Sequence, residues 1–275
     1  MICADFHTHT TFSTDGTGAP EDMLRQAASL GLKYYCFTDH MDYDFPGEEG
    51  AFTFSPEEYF SALLPLKRRY AGRLTVSVGV ELGLRNEPEL LNAMPKRCEA
   101  LLSAYPFDFV IGSTHVLQYE DPYEPSFWER RSPEEGVRLY LESILDNARA
   151  YDGFQVYGHL DYILRYLPQG AQVDMRRFRD LYDAILKQLL AKGKGIELNT
   201  ANYARGASEP HPEAWVLSRY RELGGELLTI GSDAHRPDRI AYDFARAERL
   251  LLRLGYRYYA TFSEKKPDFH RLGEV

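Results

Sequence analysis

Seven times along this chain, a short run rich in β-branched and aromatic residues precedes a longer stretch whose apolar residues recur at helical spacing. The runs are "MICADFHTHT", "KYYCFTDH", "RLTVSVGVEL", "FDFVIGSTHV", "FQVYGHLDYI", "GKGIELNTA" and "ELLTIGSDAH". Such alternation calls for a parallel sheet, because a helix must carry the chain back across the sheet before the next strand begins. Seven units in 275 residues fit an α/β fold, a (β/α)7 TIM-like barrel built as a single domain over residues 1–275. The tail "YRYYATFSEKKPDFHRLGEV" offers an eighth strand with no helix after it. Local signals set the helices. Pro20, Glu21 and Asp22 suit the first turn of one that Gly31 ends, and Ser55 suits the N-cap of the next. Pro65 inside that second helix predicts a kink or two shorter helices. Further helices are expected near 87–104 and over 174–191.

The chemistry-bearing residues gather at one kind of place. His7 and His9 sit two apart, so on a strand they project to one face. A lone H-x-H pair means little, but His40, His115, His159 and His235 also fall at or just beyond the C-terminal ends of predicted strands. Asp39, Glu81, Asp161, Glu197 and Asp233 share those ends, and Asp15 follows the first after a turn-like "FSTDG". In a βα barrel these ends converge on the face where sites are built. Imidazole plus carboxylate in this number describes a site for Zn, Mn or Fe, with two or three divalent ions sharing it. Asp39 and His40 are adjacent and diverge, so His40 is the expected ligand and Asp39 a partner that orients an imidazole. Asp233 and His235, two apart, can face one cavity. His211 and His270 fall in loop-like contexts.

Composition narrows the partners. The formal charge is −9 and no basic block exceeds "KRR" at 67–69, which argues against nucleic acid. No apolar run approaches ~18 residues, so no membrane span is expected. The start lacks a basic then apolar leader, which predicts a cytoplasmic protein. Cys3, Cys36 and Cys98 are too scattered for a disulfide framework and fit a reducing compartment.

Taken in order, "HTHTTFSTDG", "FTDH", "GVE", "GSTH", "GHLD" and "GSDAH" resemble the polymerase-and-histidinol-phosphatase (PHP) family of metal-dependent phosphoesterases. The resemblance implies the PHP fold, a distorted and often seven-stranded βα barrel. The chain length, "APEDML" and "ELNTANYAR" are similar to the histidinol-phosphatase branch. Carried over by residue, the resemblance implies one ion on His7, His9, Glu81 and Asp233, and a second on His115, His159 and a bridging Glu81. A third would rest on Asp15, His40 and His235, with Asp15 standing where some relatives have histidine.

The expected activity is hydrolysis of L-histidinol phosphate, a small phosphorylated substrate, to L-histidinol and phosphate in histidine biosynthesis. The rivals are a phosphoesterase acting on nucleotide or oligonucleotide phosphates, which the acidic chain disfavours, and a non-catalytic metal-dependent module. A water activated by adjacent ions suffices as nucleophile, and no G-x-S-x-G or C-x5-R pattern points to a covalent enzyme. Catalytic work is expected of Glu81, Asp161 and Arg205. A phosphate dianion also wants an arginine fork, for which Arg205 is the first choice and Arg165 the second. Glu197 and Asn199 share a face and either line the pocket mouth or help seal the barrel. Asp161 is open to three roles: orienting His159, protonating the leaving alkoxide, or meeting a cationic amine.

Overall fold

The structure is a computed structural model that describes residues 1–47 and 49–273. Its strands are β1 (Ala4–Asp5), β2 (Tyr34–Phe37), β3 (His40–Met41), β4 (Thr75–Gly83), β5 (Phe109–Ser113), β6 (Val156–Tyr157), β7 (Gly195–Asn199), β8 (Leu228–Gly231), β9 (Tyr258–Ser263) and β10 (Lys266–Arg271). Strands β1, β2, β4, β5, β6, β7 and β8 run in that order, all parallel, and β3 extends the pairing along β4 from His40 opposite Glu81. Phe6 N–H donates to Ile230 O at 2.9 Å and Asp233 N–H to His7 O at 2.8 Å, drawing the first and last strands together. These bonds nearly close a seven-stranded barrel.

Helices fill the returns: α1 (Pro20–Ser29), α2 (Pro56–Tyr70), α3 (Ala93–Ala104), α4 (Pro125–Glu129), α5 (Pro133–Ala150), α6 (Arg179–Ala191), α7 (Ala201–Ala204), α8 (Ala214–Glu222) and α9 (Phe244–Arg253). Their apolar stripes meet the sheet, as Met23, Leu24 and Ala27 of α1 show by being fully buried. Caps match the sequence signals. Ser55 Oγ accepts from Glu58 N–H, and Ser132 with Glu135 forms a reciprocal capping box on α5. Gly31 leaves α1 with φ 77°, a left-handed conformation that glycine adopts without a Cβ penalty.

Three expectations need revision. Pro65 does not divide its helix into two: α2 is one helix from Pro56 to Tyr70, with Leu63 and Leu66 buried on either side of the proline. The stretch from 174 begins as a 3-10 turn, Met175–Phe178, before α6 takes over. The tail adds no eighth strand to the barrel: β9 and β10 pair antiparallel with each other. The hairpin instead covers the end where strands begin, with Phe262 stacked on Phe109 at 4.9 Å and its carbonyl accepting from Ser77 Oγ. No helix among the described residues is long and apolar enough to cross a membrane.

Candidate metal centre and active site

Because every barrel strand is parallel, their C-terminal ends share one rim, and there the six histidines meet. Glu81 stands at the middle. Its Oε2 lies 3.3 Å from His7 Nε2, 3.5 Å from His9 Nε2 and 3.1 Å from His40 Nδ1. Its Oε1 lies 2.9 Å from His159 Nε2 and 3.4 Å from His115 Nε2, and accepts from Ser113 Oγ at 2.6 Å. Asp233 Oδ1 is 3.4 Å from His9 Nε2 and 3.8 Å from His7 Nε2. Asp15 reaches His235 Nε2 at 3.1 Å and His40 Nε2 at 3.8 Å.

These separations can be tested against a metal. Donors held tetrahedrally at zinc bond lengths sit about 3.3 Å from one another. The His7, His9, Glu81 and Asp233 atoms have nearly that spacing. Among the described residues, His7 Nε2, His9 Nε2, His40 Nδ1, His159 Nδ1, His235 Nε2 and Glu81 Oε2 are buried without a hydrogen-bond partner. Orphaned polar atoms are costly, so six in one small volume fit a group of donors shaped for cations.

Charge tells the same story. Burial pushes the His9 imidazole down, and His235 and His40 push it further, to about 3, so its lone pair is free. Burial opposes the protonated form of His115 too, but Asp42 and Glu81 outweigh it and hold the ring up at about 10. Burial likewise disfavours the Glu81 anion, yet His7, His115 and His40 keep its carboxyl well below the usual range. Protonated imidazoles thus supply positive charge that divalent ions can replace.

Outer groups fix the rings. His7 Nδ1 pairs with Glu197 Oε1 and His115 Nδ1 with Asp42 Oδ1, each at 2.6 Å. Asp39 reaches His9 through Ser13, whose Oγ donates to Asp39 Oδ1 and contacts His9 Nδ1 at 3.0 Å. Such carboxylate–histidine pairs set ring tautomer and orientation. Gly231 makes room for them, since a Cβ there would collide with His7 Cβ and the Glu197 carboxylate. Asp233 has φ 55°, a left-handed backbone that Asp tolerates better than most residues.

Above the cluster opens a cavity of about 370 Å³, with Arg165, Arg205, Arg236, Arg239, Tyr162, Tyr166 and Tyr242 on its walls. Arg165 is buried and donates from Nη2 to Asp233 Oδ2 at 2.8 Å. Arg205 is exposed, and no described residue pairs with its guanidinium. Glu197 and Asn199 are buried and do not line the cavity, a placement that matches sealing the barrel rather than flanking the mouth. Asp161 is also buried and off the lining, with one oxygen on His211 Nδ1 at 2.5 Å and the other on Glu213 N–H at 2.8 Å. It contacts neither His159 nor the cavity.

Sequence reasoning missed four contributors. Asp42 and Ser113 lie two residues from His40 and His115, so period-two alternation carried a usable signal for both. Ser13 sits inside the loop "TFSTDG", and His211 arrives from a loop with no periodicity to mark it.

The comparisons with known proteins agree with this geometry. A family model described as PHP domain matches residues 5–201. A histidinol-phosphatase of Lactococcus lactis is 31% identical over 271 residues, covering 96% of each chain. One of Bacillus subtilis is 26% identical over 271 residues, covering 87% of this chain and 96% of its own. The crystal structure of the Lactococcus lactis histidinol phosphate phosphatase, complexed with Zn, L-histidinol and phosphate, superposes with a TM-score of 0.87 at 30% identity, covering 96% of this chain and 98% of its own. A barrel whose histidines and acids converge on one glutamate, matched over this length, places the chain in the PHP domain family.

Proposed function

We propose that this chain is a metal-dependent phosphomonoesterase that hydrolyses L-histidinol phosphate to L-histidinol and inorganic phosphate. The observation that carries the chemistry is the set of unpartnered, buried donor atoms around Glu81 at the floor of an open cavity. The substrate follows from the relatives of the same length and fold. His7, His9, Glu81 and Asp233 would hold one divalent ion, His115 and His159 with Glu81 a second, and Asp15, His40 and His235 a third. Bound Zn, Mn or Fe supplies a water of lowered pKa and charge for the phosphoryl oxygens.

The chain's own residues do the rest. Glu197 and Asp42 hold the rings of His7 and His115 with their Nε2 atoms turned to Glu81. Arg165 and Arg205 approach from the walls to grip non-bridging phosphate oxygens, orienting phosphorus for in-line attack by water as the ester P–O bond breaks. Both Asp161 oxygens are engaged, so its part is played through His211.

The test is phosphate release from L-histidinol phosphate, a nucleoside monophosphate and p-nitrophenyl phosphate, with metal content measured on the same samples. L-Histidinol phosphate should lead in kcat/KM by about 100-fold or more. Arg236, Arg239 and Tyr242 at the rim would suit a nucleotide, and preference for the nucleotide would replace the substrate proposed here.

A further inference from the structure

One buried histidine lies outside the metal cluster. His211 is fully buried, on the loop between α7 and α8, and exchanges both backbone hydrogen bonds with Asn199 at the end of β7, 2.9 Å and 2.7 Å. Its ring bridges two charged groups. Nδ1 faces Asp161 Oδ1 at 2.5 Å, and Arg165 Nε–H donates to Nε2 at 3.1 Å.

The donor inventory fixes the ring. A guanidinium Nε only donates, so His211 Nε2 must accept, which puts the ring proton on Nδ1 toward Asp161. Asp161 Oδ2 is itself held by Glu213 N–H at 2.8 Å. A continuous chain therefore runs from the backbone of residue 213 through Asp161, His211 and Arg165 to Asp233, in which every donor meets an acceptor. Arg165 has five N–H donors, of which this chain engages one on Nε and one on Nη2. Three remain for the cavity that Arg165 lines.

We propose that His211, held by Asp161, is the positioning residue that fixes the Arg165 guanidinium between the metal ligand Asp233 and the phosphoryl group. This rests on the function proposed above and deepens it by naming what aims the anion-binding arginine. Removing the Nε2 acceptor leaves the buried Nε–H of Arg165 unpaired. The guanidinium then rotates to take both oxygens of Asp233, withdrawing Oδ1 from His7 and His9 and donors from the cavity.

Two substitutions separate this role from simple core packing. His211→Gln keeps an acceptor at the Nε2 position, whereas His211→Asn keeps only a partner for Asp161. In zinc-loaded protein, binding of inorganic phosphate by calorimetry and kcat/KM for L-histidinol phosphate should each weaken about 10- to 100-fold in His211→Asn. His211→Gln should recover to within about three-fold of wild type on both measures. In an Arg165→Ala background, His211→Asn should cost less than about two-fold more, since the group it aims is gone. Full additivity with Arg165→Ala, or equal damage from Gln and Asn, overturns the proposal and leaves His211 a packing residue. Wild-type protein that binds phosphate but spares L-histidinol phosphate would overturn the substrate instead, while the phosphate arm still decides the role of His211. If His211→Asn fails to fold, His211→Leu, which also lacks the Nε2 acceptor, takes its place in both the wild-type and the Arg165→Ala backgrounds, with the same outcomes deciding.

Discussion

Among the described residues Glu81 bears a burden no other side chain shares, because its two oxygens face five imidazoles at 2.9–3.5 Å. Glu81→Gln removes the charge and keeps the size, so turnover should fall below about 1% of wild type and metal content should drop with it. Full metal content with near-native phosphate release would show that Glu81 bridges nothing. Glu197→Gln is the milder companion. It leaves the donor atoms in place but weakens the carboxylate that orients His7, so a loss of about 10- to 100-fold in metal affinity is expected, read by competition with a chelator. The converging histidines were legible in the sequence because strand alternation and the barrel's shared rim convert spacing into position. Depth was not legible. Glu197 and Asn199 alternate along β7 as spacing predicts, yet both are buried and neither lines the cavity, and strand alternation gives a side chain's face without saying whether it reaches open space. His211 was invisible for a different reason: its loop is placed by two backbone bonds to Asn199, a contact between residues twelve apart that no local pattern encodes.

At the scale of elements, the two ends of the barrel divide the labour. The C-terminal rim holds the donors, while the strand-start end is covered by the β9–β10 hairpin, whose Phe262 stacks on Phe109, which in turn meets Phe6 edge-on at 5.5 Å. Phe262→Ala should destabilise the protein by about 3–5 kcal/mol, because the core around a buried ring cannot fully collapse into the space. Metal content per folded molecule should stay unchanged. Denaturant titration with metal analysis checks both, and loss of metal without loss of stability would show that the ends are coupled. The seven βα units were readable from periodicity, since each strand is buried and each helix is amphipathic over several turns. The hairpin was misplaced because "YRYYATFS" has the strand pattern of its neighbours, and only the near closure of β1 onto β8 leaves it no edge to join.

The whole molecule carries a formal charge of −9, and some of its acids are buried against imidazoles. Without metal, protons must balance them. Against the burial that opposes it, Asp42 and Glu81 raise His115 to about 10, above the ordinary imidazole value of 6.5. A folded-state pKa raised in this way gives stability that is fully present below about 6.5 and is lost as pH rises through about 10. Metal-loaded protein needs the same imidazoles neutral, so protons compete with the ions and affinity weakens as pH falls. The Tm of chelated protein should therefore decline between about pH 6.5 and 10, while that of zinc-loaded protein holds, and the gap between them should widen with pH. Circular dichroism should persist after chelation, because Val78, Val80, Ile111 and Leu198 form a core independent of the ions, and phosphate release should return on adding Zn, Mn or Fe. Parallel Tm curves would mean that His115 does not exchange a proton for a metal. A cooperative loss of dichroism on chelation would mean that the barrel is stapled by its ions and has no independent stability.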